Sequence, residues 1–428
     1  MRSFCCCAIA LFVFSLSLPT SHAQGETGVP FLLIEPSPEA NGRGNTGTAV
    51  ISNNPIATLT NAGQLGIFSL SNYFSGSLYT PKTQWLPTFG LSDLTYSVWA
   101  ANAGYNLREA LGLPFEAGIG IGYSRIDLNL GTFMRMNENG EVIGTFDAYE
   151  KSEQMSMGFG ADYFLRIGVG WNFKNIRSVL GGSDVAPFTS EAKASATDFG
   201  LIIQAPIFDI LKMAGTESVD IYPGIEPLVN ITFGYARSNM SNQVIHYGAD
   251  LQFTDPLPRN ATIGLSADFG LVANVNAQSW KIIMFTVARE AQDVLVTRYA
   301  DGRFSYQPGL GDISFFGHVV RGELSRTDKA SLHKGWEVGL GEFVYIRGGS
   351  FAQSPDFGNR NFTTSGLGIR LAGLFKAIGT AIPESAPPDV FSFLIRHVDV
   401  AFDHAEYKTS DGHPLSGTKF SSISVMIR

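Results

Sequence analysis

The chain has few charged residues, few cysteines and only one long apolar run, and each of these shortages excludes a class of protein. Charged residues make up 16% of its 428 residues, below the roughly 25% of a typical soluble domain. Its mean hydropathy of +0.08 is too low for a bundle of membrane-spanning helices. The formal net charge is −8 and no basic cluster interrupts it, which argues against nucleic acid as a partner.

The three cysteines occupy positions 5–7, inside the one long apolar run. This run follows Arg2 and ends in small residues, the order of a secretory signal peptide with cleavage between Ala23 and Gln24. About fourteen apolar residues are too few to cross a bilayer as a helix. Residues 1–23 are therefore predicted to be a signal, and the exported chain to have no thiol, disulfide or thiolate metal site.

Period-two alternation dominates the rest of the chain. Residues 115–123 place apolar side chains at odd positions and Gly or Glu at even ones, and residues 261–271 repeat the design. Such alternation predicts strands with one apolar face. After the first of these stretches Ile126 and Leu128 carry the apolar pattern on the opposite parity, so we expect a bulge near Arg125.

Fifteen segments share this kind of pattern, and their second face is Gly, Ser and Asn rather than Lys and Glu. A soluble sandwich solvates its outer face with charge, whereas a crowded barrel lumen suits small polar residues. The predicted fold class is all-β: a closed, transmembrane antiparallel β-barrel of about fourteen strands in the outer membrane of a Gram-negative bacterium, with short helical insertions. The segments are 68–79, 94–107, 115–123, 153–160, 164–173, 196–203, 228–236, 261–271, 280–285, 313–320, 336–340, 343–351, 362–371, 391–402 and 420–427.

Two further groups of residues accompany the strands. Residues 287–300 place apolar side chains along one side of a candidate helix across the barrel rim or lumen. Aromatic residues are candidates for the girdles at the membrane interfaces, with ordinary core positions as the alternative; they are Tyr79, Trp85, Trp99, Tyr105 and Trp171.

Residues 31–63 differ from the strand array, because they are rich in Gly, Asn and Ser and carry only three charges. We expect residues 24–63 to fold into the lumen as a hatch, with the barrel formed by residues 64–428. Glycines in its centre allow tight turns, and inward charges of the barrel line the lumen or hold the hatch through Arg43. The candidate hatch residues are Gly42, Arg43, Gly44, Asn45, Gly47 and Asn61, and the inward charges are Glu116, Arg125, Asp268, Glu337 and Arg370.

Catalytic motifs are scarce, so we expect neither an enzyme nor a cofactor. The chain has no GxSxG and no HExxH. Its GIGIGYS run from Gly118 lies inside an alternating strand rather than before a helix. His397, Asp399 and Asp403 share one face of an extended segment, which suits a metal or acid/base site. A polar row facing the lumen is the interpretation we favour.

The run FLLIEPSPEANGRGNTGTAVISNN from Phe31 resembles the N-terminus of PorV and PorQ type proteins, which belong to the FadL-like superfamily of outer-membrane barrels. The matching positions are Pro36, residues 40–44, residues 47–49 and residues 61–63. The chain lacks the usual proline after the asparagine of the last block. The resemblance implies a fourteen-stranded barrel with a luminal hatch.

Two functions follow from that resemblance. PorV-like members receive exported proteins that carry type IX C-terminal domains and hand them to a sortase-like surface partner. FadL-like members pass fatty acids and other hydrophobic or detergent-like molecules through the lumen. Because the predicted inner faces are mostly Gly and polar, we expect the protein-handling role. A hydrophobic channel is the alternative, and a structural barrel without cargo is a third possibility.

Overall fold

Fourteen antiparallel strands form one closed sheet. The structure, a computed structural model, describes residues 27–181, 191–215, 221–247, 254–275, 278–299, 301–379, 397–410 and 412–428, so the predicted signal and the Ala23–Gln24 cleavage site lie outside it. Within these ranges no helix is long and apolar enough to cross a membrane. The strands are β1 (Tyr73–Tyr79), β2 (Thr95–Asn106), β3 (Glu116–Met136), β4 (Val142–Asp162), β5 (Arg166–Val179), β6 (Glu191–Pro206), β7 (Ile225–Met240), β8 (Asn260–Val275), β9 (Gln278–Val294), β10 (Ser331–Leu340), β11 (Val344–Ala352), β12 (Asn361–Arg370), β13 (Val398–Lys408) and β14 (Lys419–Ile427).

The barrel closes because β1 pairs with both β2 and β14, and every other strand pairs with its neighbours in sequence. Phe74, for example, lies opposite Ala103 on β2 and Ile427 on β14. The predicted fold class is therefore confirmed. Closure leaves no strand edge in lipid, where an unpaired backbone group is costly.

Fourteen of the fifteen predicted segments each overlap one barrel strand. The segment 313–320 is wrong, since a π-helix at Phe315–Arg321 occupies it. The helix predicted at 287–300 is also wrong, because β9 continues to Val294 and Val296–Arg298 then pairs with Phe304–Tyr306. Both faces of β9 carry apolar residues there, because its outward Ala291 packs beneath the connection that follows. In the sequence, this spacing of apolar residues resembles the apolar face of a helix.

The two ends of the barrel differ in their connections. Turns 163–165 and 341–343 lie at the end where β1 begins and β14 ends, together with the longer connection 371–397, whereas the connections 80–94, 241–259 and 295–330 lie at the opposite end. Short turns are typical of the periplasmic side and long loops of the extracellular side. The periplasmic end also carries two short helices, Ile207–Met213 and Leu371–Gly379.

Strand β3 shows how the wall changes along its length. Outward Ile119, Ile121 and Tyr123 are exposed in a lipid-facing belt, while the next outward residues are Arg125 and Asp127. Register with β4 is continuous at Arg125, and the first shift comes only between Asn129 and Gly131. The bulge expected near Arg125 is wrong: the strand keeps its parity and leaves the membrane.

The luminal face of β3 changes in the opposite sense. Gly118 and Gly120 face inward at the level of the lipid belt, whereas Ile126 and Leu128 are buried in the lumen beyond it. A strand that leaves lipid needs a polar outer face, and the interior at that height is free to be apolar. The core of the molecule therefore lies in the extracellular half of the lumen.

Candidate functional site

The N-terminal segment, residues 27–72, lies inside the barrel. It contains a 3₁₀-helix (Pro30–Leu33) and three short α-helices, α1 (Pro38–Gly42), α2 (Ala57–Thr60) and α3 (Gly63–Phe68). Hydrogen bonds join it to strands on several sides of the wall, so it crosses the lumen. These bonds run from Gly44 N to Thr364 Oγ1 (2.8 Å), from Ser266 Oγ to Ala49 O (2.9 Å), from Asn61 Nδ2 to Leu201 O (3.2 Å) and from Asn102 Nδ2 to Pro55 O (3.3 Å).

The luminal glycines of the wall make room for α3 and the residues after it. A Cβ on Gly118 would lie 1.9 Å from Ser69 O, and one on Gly160 would lie 2.0 Å from Gly66 O. Real Cβ atoms do not approach backbone oxygens this closely, because the repulsion is steep below van der Waals contact. The glycine alternation in the sequence therefore reflects a backbone packed directly on the wall.

Three of the predicted hatch residues are glycines, and they act in two ways. Gly44 has a φ of +69°, which a residue with a side chain adopts only at a cost. Gly42 and Gly47 do not need positive φ; a Cβ on Gly42 would lie 3.1 Å from Gly366 Cα, and one on Gly47 would lie 2.9 Å from Ala40 Cβ. The tight turn thus depends on Gly44, and the other two permit close packing.

The two predicted asparagines fix the segment with their amides. Asn45 has a φ of +65°, and its Oδ1 accepts a hydrogen bond from the Tyr407 hydroxyl at 2.9 Å. Asn61 Nδ2 donates to Thr48 O at 2.7 Å and also to Leu201 O on β6. Each links a turn of the N-terminal segment either to the wall or to another part of the segment.

A buried ion cluster joins α1 to strands β10–β13. Arg43 Nη1 lies 2.6 Å from Glu337 Oε2, and Arg347 Nη1 lies 2.6 Å from Asp403 Oδ1. Three arginines face three carboxylates, so the cluster balances its charge, as burial requires. Its members are Glu39, Arg43, Glu337, Arg347, Arg370 and Asp403.

The other charges expected to face inward have different positions. Asp268 accepts a hydrogen bond from the Thr286 hydroxyl at 2.8 Å on the luminal side. Glu116 lies at the periplasmic rim beside Arg108, and Arg125 is wrong as a luminal charge because it faces outward beside Asp127.

The row on β13 does not form a site. Asp403 belongs to the ion cluster, Asp399 accepts from Ala372 N at 3.1 Å, and His397 Nδ1 lies 2.8 Å from Arg428 O. Across the part of the chain that the structure describes, no group of three His, Cys, Asp or Glu is arranged to hold a metal.

A cavity of about 500 Å³ lies above the ion cluster and α2, in the extracellular half of the lumen. One side of it is apolar and includes two residues expected elsewhere. Trp85 lines the cavity and Tyr79 is buried beside it, so neither is a girdle aromatic, whereas Trp99 and Tyr105 are exposed on the outer surface. The apolar side is formed by Phe31, Trp85, Ile126, Leu128, Phe362 and Leu415.

The other side of the cavity is polar. Lys174 Nζ is occupied by Asp198 Oδ2 at 2.8 Å and Asn239 Oδ1 at 2.9 Å. Glu290 Oε1 accepts a hydrogen bond from Ala49 N at 3.0 Å. This side is formed by Gln154, Lys174, Asn260, Thr262, Glu290 and His333. The cavity is therefore amphipathic across its width.

Glu35 reaches the cavity from the N-terminal segment. Its Oε1 accepts hydrogen bonds from Thr60 Oγ1 at 2.6 Å and Ser37 N at 2.9 Å. Burial raises the pKa of Glu35 to about 7, because the charged form loses its hydration there and the two hydrogen bonds offset only part of that loss.

The cavity overturns the expectation that the inner faces are mostly Gly and polar. That expectation holds at the level of the lipid belt and is wrong beyond it, where Ile126 and Leu128 face the lumen. The expected protein-handling role depends on the same premise and loses that support. The parity change near Arg125 was the signal in the sequence that could have revealed the apolar lumen.

Comparison with known proteins gives a distant structural likeness. No family model and no curated protein matches the sequence. The chain is similar to the CymD monoaromatic hydrocarbon channel (TM-score 0.38, 11% identity, 91% of this chain and 96% of that chain). It is also similar to a Pseudomonas aeruginosa FadL homologue, with a TM-score of 0.37 and 9% identity over 91% of this chain and 98% of that chain. A third similar structure is the Pseudomonas putida toluene transporter TodX, with a TM-score of 0.34 and 10% identity over 91% of this chain and 96% of that chain.

A further similar structure is CdiB from Acinetobacter baumannii (TM-score 0.34, 9% identity), where 83% of this chain covers 59% of that chain. All these scores are below 0.5. These likenesses therefore carry no conclusion about function, which depends on the residues of this chain, and the PorV and PorQ resemblance stays a prediction.

Proposed function

We propose that this protein is an outer-membrane channel for small hydrophobic compounds. The observation that carries the proposal is the cavity of about 500 Å³ in the extracellular half of the lumen, with an apolar side built from five parts of the chain. Cavities of this size with one apolar side and a few polar groups are typical of small-molecule sites. Hydrocarbons and other small hydrophobic molecules are the substrate classes that this lining suits, whereas fatty acids and detergent-like molecules are the classes that the sequence resemblance implies.

We further propose that the N-terminal segment is a hatch and that residues 1–23 direct export. The segment fills the lumen at the level of the lipid belt, where α3 lies against the glycines of β3 to β5. A hydrophobic compound captured above it cannot pass straight through while it stays in place. Uptake therefore needs either movement of the segment or a route around it.

Uptake into cells tests the proposal. The gene is expressed in a Gram-negative host that lacks its own channel for hydrophobic compounds, and entry of a radiolabelled long-chain fatty acid and an alkylbenzene is measured. Leu128→Trp fills the cavity and is expected to lower uptake at least tenfold. Ile121→Trp on the same strand is the matched control, because Ile121 is 64% exposed on the lipid side.

Unchanged uptake in Leu128→Trp, with both variants present at wild-type level in the outer membrane, would contradict a role for the cavity. Uptake no greater than in the host without the gene would contradict the channel itself. Retention of exported proteins in the periplasm on deletion of the gene, together with normal uptake, would restore the protein-handling role.

A further inference from the structure

One polar group that faces the cavity has no use within the protein. Gln154 is 1% exposed and lines the cavity, yet neither its Oε1 nor its Nε2 has a hydrogen-bond partner among the residues that the structure describes. A buried amide without partners costs free energy that a partner would recover. The lining of the cavity thus offers one free donor and one free acceptor side by side.

Polar luminal residues continue from Gln154 along β4, whereas the luminal face of β3 becomes apolar above it. Ser124 lies directly opposite Gln154 on β3, and Ser152 lies two positions from Gln154 on the same face of β4, opposite Ile126. Both hydroxyls are buried, and no partner is found for either in the described ranges. On the same luminal face of β3, Ile126 and Leu128 follow Ser124 towards the extracellular side. Alternate residues of a strand are about 7 Å apart, so the apolar residues of β3 begin directly above Ser124 and continue beside Ser152 of β4.

The charges around the cavity disfavour an anionic ligand. Glu35 and Glu290 both line it as carboxyl groups, and Glu290 Oε2 is buried without a partner in the part of the chain described. The nearest cation to Gln154 in register is Lys174, directly opposite it on β5, and Asp198 already neutralises it at 2.8 Å.

Two further cations reach the cavity from the extracellular loops, and both have contacts there. Arg360 Nε donates to Gln353 Oε1 at 2.9 Å and its guanidinium lies 5.3 Å from the Phe351 ring centroid. Lys329 Nζ lies 6.0 Å from the centroid of the Phe357 ring. A carboxylate seated at Gln154 would therefore meet two carboxyl groups, and the nearest cation in register is already neutralised.

We infer that the cavity selects hydrophobic molecules that carry a neutral hydroxyl group, such as alkylphenols or long-chain alcohols, over the corresponding carboxylates. The hydroxyl donates to Gln154 Oε1 and accepts from Gln154 Nε2, and the apolar body lies along Ile126 and Leu128. This inference rests on the proposed function and names its substrate class.

A matched series of ligands tests it: 4-hexylphenol, hexylbenzene and 4-hexylbenzoate. The full-length protein is placed in lipid nanodiscs at pH 8, and binding is followed by the fluorescence of Trp85, which lines the cavity. Empty nanodiscs correct for partition into lipid, and Trp85→Phe identifies the part of the signal that comes from the cavity. We expect the phenol to bind several-fold more tightly than hexylbenzene, and the benzoate to bind most weakly.

Gln154→Leu removes the amide while nearly keeping its volume. One hydrogen bond between neutral groups corresponds to roughly a three- to tenfold change in affinity, so the variant is expected to lose that factor for the phenol and less than twofold for hexylbenzene. Gln292→Leu is the control, because Gln292 lines the same cavity but its Nε2 already donates to Asn260 Oδ1 at 3.4 Å. Glu35→Gln is expected to raise affinity for the benzoate roughly threefold or more by removing a nearby negative charge.

The outcomes separate this inference from the proposed function. Equal binding of all three ligands, tightest binding of the benzoate, or a phenol affinity unchanged in Gln154→Leu would each overturn the hydroxyl selectivity and leave a general hydrophobic channel. No change of Trp85 fluorescence with any ligand would overturn the inference together with the cavity function.

Discussion

Replacing Gly160 with alanine tests whether α3 is packed directly on the barrel wall. The new Cβ would lie 2.0 Å from Gly66 O and 2.8 Å from Gly66 C, so the helix must move by more than 1 Å. It cannot slide freely along the wall, because Gly118 and Gly168 are packed equally closely on the same segment: a Cβ on them would lie 1.9 Å from Ser69 O and 2.3 Å from Gly63 O. Overpacking of this kind costs about 1–3 kcal/mol, and we expect the upper part of that range.

The change in backbone entropy of the unfolded chain affects the free energy of unfolding in the opposite direction. Gly to Ala at a position that alanine tolerates stabilises a protein by about 0.4–1 kcal/mol, because it restricts the unfolded chain. We therefore expect a net loss of about 2 kcal/mol for Gly160→Ala. The matched control is Gly76→Ala on β1, where a Cβ meets nothing within 4 Å. It should be neutral or slightly stabilising.

Three measurements check this prediction. Urea unfolding in lipid vesicles gives the free energy of unfolding of each variant, and limited proteolysis reports whether residues 27–72 leave the lumen while the barrel stays closed. Cells with a displaced segment should also become more sensitive to a large polar antibiotic. If Gly160→Ala and Gly76→Ala agree in all three measurements, the close packing of α3 on the wall is refuted.

Two further predictions concern the charges of the N-terminal segment and its wall. Arg347→Met leaves Glu337 and Asp403 buried without their shared cation and should lower the free energy of unfolding by about 3–5 kcal/mol. Arg108→Met removes an exposed ion pair and should lower it by less than about 1 kcal/mol. Equal losses in urea unfolding would contradict a stabilising role of the buried ion cluster. Burial raises the pKa of Glu35 from about 4.5 to about 7, so its stabilising contribution is complete below pH 4.5 and is lost as the pH rises through 7. The N-terminal segment should therefore resist proteolysis better at pH 5 than at pH 8, by about 1–3 kcal/mol of opening free energy. Glu35→Gln should remove that difference.

The barrel could be predicted from the sequence because its two requirements leave local marks. Lipid on one side demands apolar residues at every second position, and a backbone packed on the other demands glycine, as at Ile119 and Gly120. Fourteen strands were recognised in this way. The segment at 313–320 failed because its apolar residues serve a different purpose: Ile313 and Val319 cover outward residues of β8 and β9 above the lipid belt.

The ion cluster could be foreseen only as a set of inward charges. Parity places Glu337 and Arg370 in the lumen, but it cannot tell which charges meet, since Arg43 and Glu337 are 294 residues apart. Pairing depends on where α1 meets the wall, and that position is set by Gly366 and Arg347 beside Gly42. These contacts are tertiary, and no local pattern encodes them.

The alternation alone does not predict the cavity, because it does not show where along each strand the membrane ends. A period-two pattern assigns faces but not heights, so the same parity carries Gly120 in the lipid zone and Leu128 beyond it. Outward charge begins at Arg125, directly opposite Glu153 on β4, and luminal apolar residues begin at Ile126. The two changes coincide because the outer face stops meeting lipid at the level where the glycine-packed N-terminal segment gives way to open lumen. Where the outer face of one strand changes from apolar to polar and its luminal face from glycine to apolar, the change therefore indicates both the membrane boundary and the floor of a luminal apolar site. A bulge would not explain the two changes together.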